Sequence, residues 1–390
     1  MTNTLDNFAR EKLATIEAAT LTRQLKPTIR EADGGVWRGT SQLLSFCDND
    51  YLGLSQHPRL KRAAIDATKS YGVGAGASRL VTGNNPLYEA LESRLAHIKG
   101  AEAAIVFGSG YLANIGIIPT FIGAGDLIVA DELAHACLHA GAHLSHAEFK
   151  LFKHNDPEDC ERLLTESRWK HRNCMILTEG VFSMDGDRAP VAALSSIART
   201  MDAWLLVDDA HALGVINDGR GSGFLNGELL PVDLQMGTLS KAVGAYGGYL
   251  AASRAAVDLI VNRARSLIYT TALPSGTLAA AEKGLELIES DPELTAAPLA
   301  RAQAFTEALG LPMAESAIVP IIIGDEALAL DAAERLAGQG FLVTAIRPPT
   351  VPKGTSRLRF TFSATHRDDD VIALAEEVQA LGLTAHWSGA

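Results

Sequence analysis

Two stretches decide the fold: Trp204-Leu205-Leu206-Val207-Asp208-Asp209-Ala210-His211, and Leu234-Gln235-Met236-Gly237-Thr238-Leu239-Ser240-Lys241. Each opens as a short, largely apolar run without polar alternation and closes on side chains that carry chemistry. Such a run is a strand buried on both faces, which belongs to a parallel sheet covered by helices. Similar runs stand at residues 103–107, 127–130, 175–178 and 248–251, separated by longer amphipathic segments. The alternation predicts an α/β large domain over residues 49–280, with a mostly parallel sheet between helices. Ahead of it, Leu5, Phe8, Leu13, Ile16, Leu21 and Leu25 recur at helical spacing up to Pro27, so residues 1–48 read as an N-terminal helical arm. Behind it, residues 281–390 read as a smaller C-terminal α+β domain. Its helical stretches at 278–290 and 298–309 precede strands at 317–323, 341–345 and 356–362 and helices at 327–338 and 367–381.

Composition narrows the function classes. With 34 basic and 46 acidic residues among 390, the chain carries a formal charge of -12, which argues against a nucleic-acid surface. At 47% hydrophobic and 21% charged it is globular rather than disordered. Residues 111–130 are apolar over the length of a membrane span, but Asn114, Pro119 and Asp126 interrupt them, so they read as helix, turn and strand and no membrane association is expected. The first twelve residues hold no apolar signal core. Cys47, Cys137, Cys160 and Cys174 are scattered without a C-x-x-C pair, which fits free thiols in the cytoplasm.

The chemistry gathers where strands end. Strand 103–107 runs into Gly108-Ser109-Gly110-Tyr111, a turn whose backbone N–H groups can converge on a phosphate at a helix N-terminus; a plain tight turn is the alternative. Residues 72–77, Gly-Val-Gly-Ala-Gly-Ala, match the dinucleotide pattern but follow a helical stretch rather than a strand. Ligands of open α/β sheets bind beyond the carboxyl ends of strands, which puts Asp208, Asp209 and His211 in a crevice, although one aspartate could instead cap a helix. Lys241, past a buried strand and followed by glycines, is set where its amine loses water and becomes nucleophilic; an ordinary loop lysine is the bland alternative. His135, His139, His143 and His146 have helical spacing, but zinc sites usually add a carboxylate or thiolate with hydrogen-bond acceptors behind the ligands, and His135, after Asp131-Glu132, falls at a strand-to-helix loop rather than mid-helix, so no metal is expected.

In this order the pieces resemble the fold-type I enzymes that use pyridoxal 5'-phosphate, and among them the α-oxoamine synthases. The further markers are residues 49–54 (Asn-Asp-Tyr-Leu-Gly-Leu), residues 178–187 (Thr-Glu-Gly-Val-Phe-Ser-Met-Asp-Gly-Asp) and Gly219-Arg220-Gly221-Ser222. The tail from Thr344 through Arg347-Pro348-Pro349-Thr350 to Arg359 is similar to members that condense L-alanine with a pimeloyl thioester in biotin biosynthesis. Joining glycine to acetyl-CoA is the alternative within the family.

The resemblance implies roles. Lys241 bonds to the cofactor aldehyde and then serves as the base for the Cα proton. Asp208 keeps the pyridine nitrogen protonated, His211 and Ser183 face the phenolic oxygen, and His135 stacks on the ring. Gly110 and Tyr111 flank ring and phosphate, and Thr238 adds a hydroxyl. Arg359 clamps the substrate carboxylate, with Arg357 two residues earlier as the alternative. Arg23, Asn49, His135, Arg347 and Thr350 contact substrate. It also implies a homodimer with a shared site, with Arg23 or residues near Ser78 and Thr270 reaching the partner's cofactor.

Overall fold

The computed structural model describes residues 4–383, which pack as two units. The larger holds residues 49–300 and 315–317. The other is built from the N-terminal segment up to Asp48, residues 301–314 and the segment from Ile318 onward.

In the larger unit seven strands form one sheet, in the order Ala103–Phe107, Gly248–Ala252, Leu234–Thr238, Trp204–Asp208, Cys174–Glu179, Leu127–Asp131, Glu148–Phe152. All the expected strands are present. Gly248–Ala252 is antiparallel to both neighbours, and the pairings from Leu234–Thr238 to the Glu148–Phe152 edge are all parallel. The edge strand Glu148–Phe152 escaped the sequence reading because Glu148 and Lys150 interrupt its apolar residues, as suits an edge half open to water. Side chains alternate between two cores, as a doubly covered sheet requires. Ile128, Leu177, Leu206 and Met236 pack with Ile117 of helix Gly110–Phe121 and Ile260 of helix Arg254–Arg263. On the other face Val129, Ile176, Leu205 and Val207 meet Leu164 of helix Pro157–Ser167 and Leu194 of helix Val191–Thr200.

The expected boundary at 280 falls inside helix Ser275–Ser290. Leu278, Ala281, Leu285 and Ile288 make one buried stripe on that helix, which packs on Pro58–Tyr71 and Leu87–Lys99 and so belongs to the larger unit. Residues 72–77 are a loop after helix Pro58–Tyr71, without the strand that a dinucleotide fingerprint needs. Residues 110–131 are a helix, a turn and a strand. Among the described residues no helix is long and apolar enough to cross a membrane.

The N-terminal segment is not purely helical. Its helix, Thr4–Ala18, stops before Leu21 and Leu25. Thr20 turns left-handed (φ 58°), and the carbonyls of Thr20 and Thr22 accept from Arg347, so tertiary hydrogen bonds replace the next helical turn. Strands Gly35–Arg38 and Ser41–Ser45 follow as a hairpin, and Phe341–Leu342 adds to it in parallel. Phe46, fully buried among Phe305, Phe360 and Phe362, fixes this segment in the same core as the C-terminal residues. The expected strand at 341–345 breaks at Val343: Phe341–Leu342 joins that sheet, while Thr344–Ile346 pairs with Ser356–Thr361, which also pairs with Ile318–Gly324.

Polar clamps hold the loops at the carboxyl ends of the parallel strands. Lys99, wholly buried, donates to Asp209 Oδ2 at 2.6 Å and to Arg220 O at 2.7 Å. Ser222 donates to the same carboxylate through its backbone N–H and its hydroxyl. Asp209 therefore has a buried cation rather than a helix to cap. His154 lies between two acids, with Nδ1 2.9 Å from Asp131 Oδ1 and Nε2 2.7 Å from Asp187 Oδ2. Burial alone would lower the His154 pKa, but hydrogen bonds to the two carboxylates outweigh it and raise the imidazole to about 10.

Two outcomes are expected. Lys99→Met leaves the Asp209 charge buried without its cation and should lower unfolding free energy by about 3–5 kcal/mol in urea titrations. His154 is raised above its ordinary value of 6.5, so its contribution should be fully present below about pH 6.5 and lost as pH rises through about 10. Urea midpoints of wild type and His154→Gln should accordingly converge toward pH 10.

Candidate active site

Register brings three strand ends together. Asp208 lies opposite Glu179 on one neighbouring strand and Met236 on the other. Both acids are buried, 4% and 3% exposed. Asp208 Oδ1 accepts from Ala210 N at 2.9 Å, and Oδ2 from Asn114 Nδ2 at 2.8 Å. Burial raises the Asp208 pKa, while Lys241 leads the opposing influences. Glu179 is pushed well above the usual carboxylate range, by burial first and by Asp208 next. The backbone N–H groups of His135 and Ser183 bond to Glu179, which ties two loops of the site to one strand end.

Lys241 follows strand Leu234–Thr238 in a loop whose tightness depends on Gly244 (φ 72°): a Cβ there would lie 2.5 Å from Ser55 N. Its Nζ is 2.6 Å from His211 Nε2. The other ring nitrogen of His211 is 2.6 Å from the hydroxyl of Tyr51, which donates to Asn49 Oδ1 at 3.3 Å. A chain of contacts thus runs from the lysine through His211 and Tyr51 to Asn49, and Asp208 lies within the reach of the lysine charge.

Helix Gly110–Phe121 starts at the glycine turn, with Ser109 as its cap accepting from Leu112 N. A Cβ at Gly110 would lie 3.2 Å from Met236 Cε and 3.6 Å from Thr238 Cβ, so glycine lets this helix N-terminus approach Thr238. Tyr111 is 51% exposed. His135 caps helix Ala136–Ser145, and its Nδ1 lies 2.8 Å from Cys137 Sγ. Loss of hydration lowers the His135 pKa, with Asp208 opposing. Ser183 sits in a loop closed by Phe182 N to Asp187 O. His139 and His143 both meet the edge of Phe149, and His146 ends the helix at φ 61°. Among the described residues no group of His, Cys, Asp or Glu is arranged to hold a metal ion.

The remaining expected residues lie in the other unit. Arg23 donates to Pro348 O, and Arg347 to the carbonyls of Thr20 and Thr22. With Thr350, Lys26 and Arg38 they line a cavity of about 890 Å³. Arg357 and Arg359, 4% and 5% exposed, share one face of strand Ser356–Thr361. The sequence reading assigned nothing to Tyr51, Asn114 or Glu179. Asn114 is a fully buried amide inside a largely apolar helix, and Glu179 ends a strand as Asp208 does; both signals were available.

A family model described as aminotransferase class I and II matches residues 41–378. An 8-amino-7-oxononanoate synthase of Methylocella silvestris is 60% identical over 88% of this chain and 98% of its own length. Another, from Granulibacter bethesdensis, is 57% identical over 97% and 98%. Among solved structures, a serine palmitoyltransferase from S. paucimobilis with bound PLP and myriocin superposes with a TM-score of 0.90 at 27% identity, covering 97% of this chain and 98% of that one. Sequence, sheet order and strand-end chemistry agree, and the chain belongs to the class I and II aminotransferase family, in its α-oxoamine synthase branch.

Proposed function

We propose that the chain is a pyridoxal 5'-phosphate-dependent acyltransferase that condenses L-alanine with a pimeloyl thioester. The products are 8-amino-7-oxononanoate, CO2 and the free thiol, whether the carrier is coenzyme A or a carrier protein, and the step belongs to biotin biosynthesis. The observation that carries this reading is the 2.6 Å approach of Lys241 Nζ to His211 Nε2 beside the buried Asp208. The substrate pair is supported by near full-length relatives at 57–60% identity named for that reaction.

The residues present fit the cofactor. Asn114 Oδ1 and Glu179 Oε1 are buried oxygens without a hydrogen-bond partner among the described residues, on side chains next to Asp208, and the Gly110 helix terminus with Thr238 suits a phosphate. When bound, pyridoxal 5'-phosphate supplies the electron sink for the Cα bond that breaks. Lys241 would hold its aldehyde carbon and later move the Cα proton. Asp208 would keep the ring nitrogen protonated, His211 and Ser183 would bond its phenolic oxygen, and His135 would cover a ring face. Gly110, Tyr111 and Thr238 would hold the phosphate. Arg359 is the first choice for the alanine carboxylate, Arg357 the second, and Arg23, Asn49, Arg347 and Thr350 the other substrate contacts. A cytoplasmic homodimer with a shared site completes the proposal.

Two measurements test it. Reconstituted wild type should be yellow and Lys241→Ala colourless, with CO2 release down by about 10³-fold or more; a wild type that stays colourless with the cofactor overturns the reading. Thiol release should favour alanine with pimeloyl-CoA over glycine with acetyl-CoA, and the opposite preference overturns the substrate pair alone.

A further inference from the structure

Tyr51 belongs to the Asn49-Asp50-Tyr51 marker, to which the proposed reaction gives no tyrosine role. Its ring is 1% exposed, and its hydroxyl sits between His211 Nδ1 at 2.6 Å and Asn49 Oδ1 at 3.3 Å. The segment is rigid: Asp50 accepts from Ser55 N, and Gly53 N donates to Asp50 O through a left-handed turn at φ 65°. A tyrosine has one proton, and an amide oxygen only accepts. In the arrangement that has the phenol donating to Asn49 Oδ1, the 2.6 Å contact takes its proton from Nδ1 of the imidazole. A neutral imidazole carries a single N–H, which leaves Nε2 as an acceptor facing Lys241 Nζ at 2.6 Å.

We propose that Tyr51 is a positioning residue that fixes His211 in its Nδ1–H tautomer, so that Nε2 takes a proton from the Lys241 ammonium. In that step one N–H bond of the ammonium breaks and one forms on Nε2, and the charge passes to the imidazolium. The Nδ1–H bond to the phenol oxygen becomes charge-assisted as it does so. The lysine is left as the free amine, the form that attacks a carbonyl carbon. Among the described residues, Asp208, Glu179, His135 and Cys137 each feel the charge of Lys241. An ionised Asp208 favours the charged lysine, so a local base has a barrier to remove.

The inference rests on the reading of Lys241 as the residue that captures the cofactor, but its test separates the two. In full-length apoenzyme labelled with 15N-histidine, His211 should show the Nδ1–H tautomer, and Tyr51→Phe should abolish that preference. An Nε2–H tautomer in the wild type overturns the proposal, whether or not the variant folds. For Tyr51→Phe with an unchanged thermal midpoint, covalent recapture of added pyridoxal 5'-phosphate near neutral pH should be about tenfold slower. The pH midpoint of that recapture should move upward; an unchanged rate and midpoint overturn the proposal. Covalent recapture by Lys241→Ala would instead count against the assignment of Lys241 and leave the tautomer result standing.

Discussion

A carboxylate taken out of water at the end of a central strand needs a compensating cation or proton, and the larger unit is arranged around that requirement. Asp209 has Lys99, locked by Arg220 and Ser222. Asp131 and Asp187 share His154. Asp208 has Lys241 as its leading charged influence, and Glu179 beside it is driven toward the neutral acid. These are four neighbouring solutions to one electrostatic problem.

These clamps also fix geometry. Glu179 ties the backbone of His135 and Ser183 to one strand, while Asn114 reaches from the glycine-turn helix to Asp208. His154 spans the loops that lead to His135 and follow Ser183. Groups drawn from five separate segments are thereby held by hydrogen bonds, which is the preorganisation that polar catalysis requires.

Much of the fold was legible because its signals are local. Buried parallel strands lack polar alternation, so six of the seven sheet strands stood out; the seventh lies at an edge where lysine and glutamate are tolerated. The helical arm was half legible: the apolar spacing to Ile16 is real, but the chain beyond Ala18 is decided by Arg347, over three hundred residues away. The boundary at 280 failed because a helix's partners are not written in its own sequence. Asp208, His211, Lys241 and Gly110 could be proposed because each follows the end of a strand, whereas Ser183 and Thr238 came in only through the resemblance. Tyr51 and Glu179 were in view as letters of longer markers but carried no role until their neighbours were known.

The sequence by itself determined the alternation of strand and helix, the position of the chemistry at strand ends and the residue types available there, because periodicity and strand-end placement are properties of short stretches. Only the tertiary structure decided which acid has which cation and which histidine nitrogen faces the lysine. It also decided which strands of the N- and C-terminal segments share a sheet. Those outcomes depend on distances of a few ångströms between residues tens to hundreds of positions apart, and electrostatics and hydrogen bonding act on such distances rather than on order along the chain.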